Sequence, residues 1–366
     1  MQGRFSREHR KPLKKTSFAV YFLWPSLRPP SSRWYNPFMN IFISFNPTMF
    51  ASDGLARLKK AGHAVTFFKK DHGIPRAKLL KSIRGKDAVM TLLTDKVDTE
   101  FLEAAGPQLK IVANYAVGFD NVDVKAAQAA GVIITNTPCD EVNDSVAEHA
   151  FALLIALAHR IPEADVYAKA EKYSGWTPTL LLGTDLTGKT LGIIGAGRIG
   201  ATLAERAAAF GMKIVYDNPK RNLDLEKKTG AKKLPLPKLF ATADAVSLHV
   251  PLLPSTRHLV STKELALMKP TAFLINTSRG PVVDELALLK ALKKKRIAGA
   301  ALDVYECEPA IDCDISDSLA LKKFPNAILT PHIGSATIEA RQGMGRVAAQ
   351  NIIAVLGGKK PLNPAQ

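Results

Sequence analysis

The sequence predicts an α/β protein built on two doubly wound parallel sheets, and three observations carry that expectation. From Met39 onward, short β-branched runs alternate with helical segments over almost the whole chain. Those runs are apolar along their length, as strands covered on both faces must be. They fall into two series separated by a long helical stretch, and 366 residues suffice for two domains with separate cores.

In the first series, strands are expected at 41–45, 64–68, 88–92, 110–114 and 132–135. Helices such as 52–61 and 124–130 lie between them, closed by Gly62 and Gly131. One helical stretch then runs from 145 to about 172 and carries Phe151, Leu153, Leu154, Leu157 and Ile161. It is too apolar for a lone surface helix, so it is expected to pack between domains or subunits. The second series places strands at 190–194, 213–216, 245–249, 272–276, 300–304 and 327–329, enough for a complete doubly wound sheet. A last helix is expected at about 336–356.

Composition narrows the classes. With 24 Gly and 23 Pro, collagen-like and low-complexity chains are out. The apolar run at 150–158 is half of what a membrane span needs. Cys139, Cys307 and Cys313 form no C-x-x-C pair, which fits a reducing, cytoplasmic setting. The net charge of +17 invites a nucleic-acid reading, but residues 1–38 hold eight basic side chains against one acid. Part of the rest is the cluster Lys293, Lys294, Lys295 and Arg296 at a helix end, where cations complement the dipole. The charge therefore reads as a solvated basic surface or as steering of anionic ligands, without nucleic acid or membrane as partner. Residues 1–38 themselves are expected to be a disordered leader, or to precede a working start at Met39. The apolar run at 18–24 imitates a signal peptide only faintly, because Pro25 interrupts it.

The pattern G-x-G-x-x-G occurs at Gly195, Gly197 and Gly200, after an apolar strand and before a good helix. Gly195 permits the tight turn, Gly197 lets the backbone approach a pyrophosphate, and Gly200 clears space where helix and strand pack. The anion would rest on free amides at the helix start, beside Arg198 and Ile199. A second strand ends at Asp217, 22 residues beyond Gly195. An acid there accepts hydrogen bonds from ribose hydroxyls and repels a 2′-phosphate, which favours NAD. Asn218, Lys220 and Arg221 follow at once, and such cations suit a 2′-phosphate, so NADP stays open.

Three later strands each end beside residues capable of chemistry: Arg279 after the first, Asp303, Glu306 and Glu308 after the second, and His332 after the third. Reducing a 2-keto acid by hydride transfer needs a proton donor for the nascent alkoxide, and a histidine suits that role. A paired carboxylate fixes the ring and favours its protonated form. An arginine holds carboxylate and carbonyl oxygens through its planar fork. In an open α/β sheet all three can converge beyond the strand ends.

At these residues the sequence resembles the D-isomer-specific 2-hydroxyacid dehydrogenase family. The resemblance covers about 39–358 and rests on 112–123, the glycine turn, His249-Val250-Pro251-Leu252, 276–284, 302–309 and 330–334. It implies a Rossmann dinucleotide-binding domain, residues 141–330, inserted into a flavodoxin-like substrate domain, residues 39–140 with 331–366. It also implies Arg279 as the substrate-orienting cation, His332 as acid/base and Glu308 as its partner. Asp303 and Thr277 would contact the nicotinamide half, with Pro251 lining the cofactor cleft. The substrate carboxylate would meet amides at Val117 and Gly118 and the loop bearing Leu93. A homodimer built on the long central helix is implied as well. Within the family, Leu92-Leu93-Thr94-Asp95 and 276–285 look most like glyoxylate/hydroxypyruvate reductases. The alternatives are a short phosphoglycerate dehydrogenase and a non-catalytic, NAD(H)-sensing corepressor-like protein.

Overall fold

The computed structural model describes residues 38–48, 51–70, 72–308 and 320–365. The leader expected at 1–38 therefore lies, Phe38 apart, outside the described residues.

The first series forms β1 (Asn40–Ile43), α1 (Ser52–Lys60), β2 (Ala64–Phe67), α2 (Arg76–Ile83), β3 (Ala88–Thr91), α3 (Thr99–Ala105), β4 (Ile111–Asn114), α4 (Val124–Ala129) and β5 (Ile133–Thr135). Next come α5 (Asp140–Ala158) and α6 (Ile161–Lys169). The second series is β6 (Thr190–Ile194), α7 (Arg198–Ala209), β7 (Lys213–Asp217), α8 (Leu223–Thr229), β8 (Lys232–Lys233), α9 (Leu236–Thr242) and β9 (Ala245–Leu248). It continues with α10 (Thr262–Leu267), β10 (Phe273–Asn276), α11 (Glu285–Lys293), β11 (Gly299–Leu302) and β12 (Ala327–Leu329), and α12 (Ile338–Leu356) follows.

Two parallel sheets result. The first has strand order β2-β1-β3-β4-β5, the flavodoxin-like order; the second runs β12-β11-β10-β9-β6-β7-β8, the order of a dinucleotide-binding sheet. The central strands read as continuous apolar runs because helices cover both faces: β3, β4, β9, β10 and β11 are buried at every residue. On one face of the first sheet, Ile41, Ile43, Met90, Ile111 and Ala113 pack against Ala340, Met344, Ala348 and Ile352 of α12. The last helix thus returns across the whole second sheet to complete the core of the first. α5 supplies Val142 and Val146 to that core and Leu153, Leu154 and Leu157 to the core of the second.

The structure departs from expectation in three places. The stretch 145–172 is two helices, broken at Arg160, which takes the left-handed conformation at φ 55°. Pro162 explains the break, because its ring would clash with the carbonyl of Ala158 in a continuous helix. That carbonyl instead accepts from the Thr184 amide at 2.9 Å. A two-residue edge strand, β8, was not expected, since Lys232 and Lys233 carry no strand signal and are exposed. Finally, Cys139 is a free thiol but Cys307 is disulfide-bonded, so the argument for a reducing setting fails at the second. Among the described residues no helix is long and apolar enough to cross a membrane.

α1 and α12 cross at bare backbone. A Cβ on Gly54 would stand 2.3 Å from the Gly345 carbonyl oxygen, and one on Gly345 would stand 2.8 Å from the Ala51 Cβ. Gly54→Ala should push the helices apart and destabilise by about 1–3 kcal/mol, the usual effect of overpacking. Chemical denaturation should record that loss, and an unchanged midpoint would mean that the crossing yields freely.

Candidate active site

The second sheet reverses its strand order between β6 and β9, and ligands of such sheets bind beyond the carboxyl ends at that point. Gly195 leaves β6 with φ 94°, and a Cβ there would lie 2.5 Å from the His249 carbonyl oxygen. A Cβ on Gly200 would lie 2.2 Å from the Gly195 carbonyl oxygen, so α7 presses on the turn only because that position is bare. Gly197, just before α7, faces open space. Free helix-start amides with room above them fit a pyrophosphate. Arg198 is exposed beside the turn, and Ile199 is half-buried against the first sheet's core.

Asp217 ends β7, and its carbonyl accepts from the Gly195 amide at 2.9 Å. Its side chain lines a cavity of about 700 Å³ with Arg221, Glu226 and Lys233. Burial raises the Asp217 carboxyl against the pull of Lys233. Arg221 is gripped by Glu226, with Nε 3.1 Å from Oε1 and Nη2 bonded to Oε2. The Tyr216 hydroxyl donates to the same carboxylate at 2.5 Å. Bonds from Arg221 and then Tyr216 hold Glu226 down at about 2, so the arginine expected to welcome a 2′-phosphate is engaged elsewhere.

On the nicotinamide side, Thr277 follows β10 with its Oγ1 buried and without a partner among the described residues. A buried hydroxyl of that kind awaits a ligand group. With the bare glycine turn, it makes the site fit a dinucleotide. Pro251 is exposed, two residues beyond His249, whose Nε2 is hydrogen-bonded to the Ser247 hydroxyl at 2.8 Å.

Arg279 reaches across to the loop after β4. Its Nε donates to Asp120 Oδ2 at 2.6 Å, and its guanidinium lies so close to Gly118 that a Cβ there would overlap Nη2. The amides of Val117 and Gly118 meet no acceptor among the described residues. Behind Arg279, a Cβ on Gly280 would stand 1.8 Å from the Tyr305 carbonyl, so the arginine's loop rests on the segment that leads to Glu308. That segment is stitched further: the Glu306 amide donates to Glu285 at 2.6 Å, and the Glu306 carboxylate is bonded to His258.

Glu308 Oε2 and His332 Nδ1 are 2.6 Å apart, both partly exposed. His332 is itself left-handed, at φ 54°. Asp303 holds it there, accepting from the amides of Ile333 at 2.9 Å and Gly334 at 2.7 Å. Thr330 Oγ1 donates to the same carboxylate at 2.6 Å, and His149 stands 3.3 Å away. Burial would raise the Asp303 carboxyl, but these bonds outweigh it and leave the group below its usual range. Asp303, expected against the nicotinamide, is fully buried with both oxygens serving the His332 loop.

His332 and Glu308 share a cavity of about 640 Å³ with Leu92, Leu93, Thr94, Tyr115, Thr337, Ile338 and Arg341. Arg279 does not line it; it stands at Gly118, three residues beyond Tyr115. Asp120, Tyr115, His149 and Arg341 escaped the sequence reading. Tyr115 and Asp120 lie within 112–123, a stretch that carries the resemblance, and Arg341 stands at i, i+4 from Thr337, which puts both on one helix face.

Such a turn, strand-end acid and histidine–carboxylate pair define a dinucleotide-dependent oxidoreductase. A family model described as D-isomer specific 2-hydroxyacid dehydrogenase, NAD binding domain, matches residues 151–334. A glyoxylate reductase of Thermococcus litoralis is 48% identical over 315 residues, covering 85% of this chain and 92% of that one. The crystal structure of a glyoxylate reductase from Paecilomyes thermophila superposes with a TM-score of 0.78 at 32% identity, covering 90% and 98%. That of an NADPH-dependent glyoxylate/hydroxypyruvate reductase from Sinorhizobium meliloti, with NADP and malonate, gives 0.75 at 31%, covering 89% and 96%. The chain belongs to the D-isomer specific 2-hydroxyacid dehydrogenase family. It is an NAD(P)-dependent oxidoreductase acting on the CH–OH group of small 2-hydroxy acids.

Burial pushes His249 down to about 4 from an ordinary 6.5. Between those values the unfolded chain takes up a proton there that the folded chain refuses, so stability falls as pH drops through the window. The melting-temperature gap between wild type and His249→Asn should therefore shrink from pH 6.5 towards 4. A gap independent of pH would remove His249 from the response.

Proposed function

We propose that the protein reduces glyoxylate or hydroxypyruvate with NADH, His332 delivering the proton. The observation that carries this reading is the 2.6 Å His332–Glu308 bond inside a cavity shared with Leu92, Leu93 and Thr94. Nδ1–H donated to Glu308 leaves Nε2 to hold the transferable proton. The carboxylate fixes the tautomer and the orientation of the ring, and the nascent alkoxide takes the proton as the keto carbon accepts a hydride. The bound nicotinamide supplies that hydride. Arg279, together with the free amides of Val117 and Gly118, anchors the substrate carboxylate and polarises the carbonyl.

Asp217 reads the ribose and favours NAD, an assignment supported by the engagement of Arg221 with Glu226. The glycine turn, Arg198, Ile199, Pro251 and Thr277 form the rest of the cofactor cleft. Residues 141–330 make the cofactor domain; 39–140 and 331–366 make the substrate domain. The enzyme acts as a homodimer. Supporting the dimer, the segment at 161–182 exposes five large apolar side chains, Ile161, Val166, Tyr173, Leu182 and, at 79%, Trp176, and a concentration of such side chains marks interaction sites.

His332→Ala should lower kcat for glyoxylate by about 10²–10⁴-fold, the range for general acid–base catalysis, while NADH binding followed by fluorescence changes little. A near-wild-type kcat would take the proton donor elsewhere. Asp217→Ala should bring the kcat/KM values for NADH and NADPH closer together, by about tenfold if one hydrogen-bonded carboxylate sets the preference. An unmoved ratio would assign ribose reading to another residue.

A further inference from the structure

The substrate cavity is larger than the reading above requires. Glyoxylate has five heavy atoms, and about 640 Å³ leaves space beyond its carbonyl carbon. The walls there are Leu92, Leu93 and Ile338, with one cation among them, Arg341. Of the arginines described, seven pair with carboxylates, including Arg279 with Asp120 and Arg346 with Glu141. Arg341 has no such partner among the described residues; its nearest polar contact is the Met344 sulfur at 3.9 Å from Nη1. It also sits in the first turn of α12, where the helix dipole disfavours a cation. Its backbone is held fast, because the Tyr115 hydroxyl donates to the Arg341 carbonyl at 2.5 Å.

An arginine kept in an unfavourable place, unpaired and anchored beside the acid/base histidine, is poised for a group of the ligand. Resting on the proposed function, we infer that Arg341 is a specificity-determining residue that selects 2-keto acids bearing an oxygen function on C3. Arg279 serves the carboxylate end, and Arg341 donates to the C3 oxygen at the far end. A 3-methyl substrate leaves that guanidinium desolvated without an acceptor, which is the situation that discriminates most strongly.

Hydroxypyruvate and pyruvate differ at that position by a single hydroxyl. The test is the ratio of their kcat/KM values with NADH, which cancels any general damage to the enzyme. Wild type should favour hydroxypyruvate, and Arg341→Met should shrink the ratio about 10- to 100-fold. Arg341→Lys, keeping charge but losing the fork, should fall between. An unchanged ratio in both variants overturns the role of Arg341 alone. If wild type reduces neither glyoxylate nor hydroxypyruvate, the proposed function falls, and this inference falls with it.

Discussion

The buried carboxylate of Asp303 is the constraint on which the site depends. It stands at the carboxyl end of β11 and gathers four donors, two of them the amides that follow His332. A left-handed histidine costs about 1–3 kcal/mol, and hydrogen bonds to a charged acceptor, about 1.5–3 kcal/mol each, are enough to offset it. The strained loop is thereby tied to the buried interior of the seven-stranded sheet. The imidazole is aimed by the sheet, and Glu308 has only to orient the ring.

A second set of bonds ties the arginine to the same frame. Gly280 rests on Tyr305, Glu285 and Glu306 each donate an amide to the other's carboxylate, and His258 closes on Glu306. The loops bearing Arg279 and Glu308 therefore behave as one body. Arg279 then spans to Asp120 and Gly118, carrying that body against the first sheet.

Much of this was legible beforehand. Strands such as Ala88–Thr91 and Phe273–Asn276 open with three successive apolar residues that must be covered on both faces, as in a parallel sheet. The glycine turn and the Glu308–His332 pair announced themselves by residue type and by position at strand ends. Other features left no trace in a linear pattern. The Asp120–Arg279 bond joins residues 159 apart in the chain, and the partners of Asp303 come from α5 and from the loop after β12. Asp303 shows the limit well: its chemistry was visible, but whether it faced a ligand or a neighbouring loop depended on packing. The break at Arg160 was a different matter, since Pro162 was there to be weighed against the apolar periodicity that masked it.

The return of α12 to the first sheet has a consequence for how the molecule comes into being. During synthesis β1 to β5 emerge early, yet the helix that seals one of their faces emerges only after the entire cofactor-side sheet. The nascent amino-terminal half must wait with Ile41, Ile43 and Ile111 sheltered in part by Leu55 and Leu58 of α1 while about two hundred further residues are made. The order in which the ribosome releases the chain is thus opposite to the order in which its hydrophobic faces find shelter, and the half-made protein is a natural client for a chaperone.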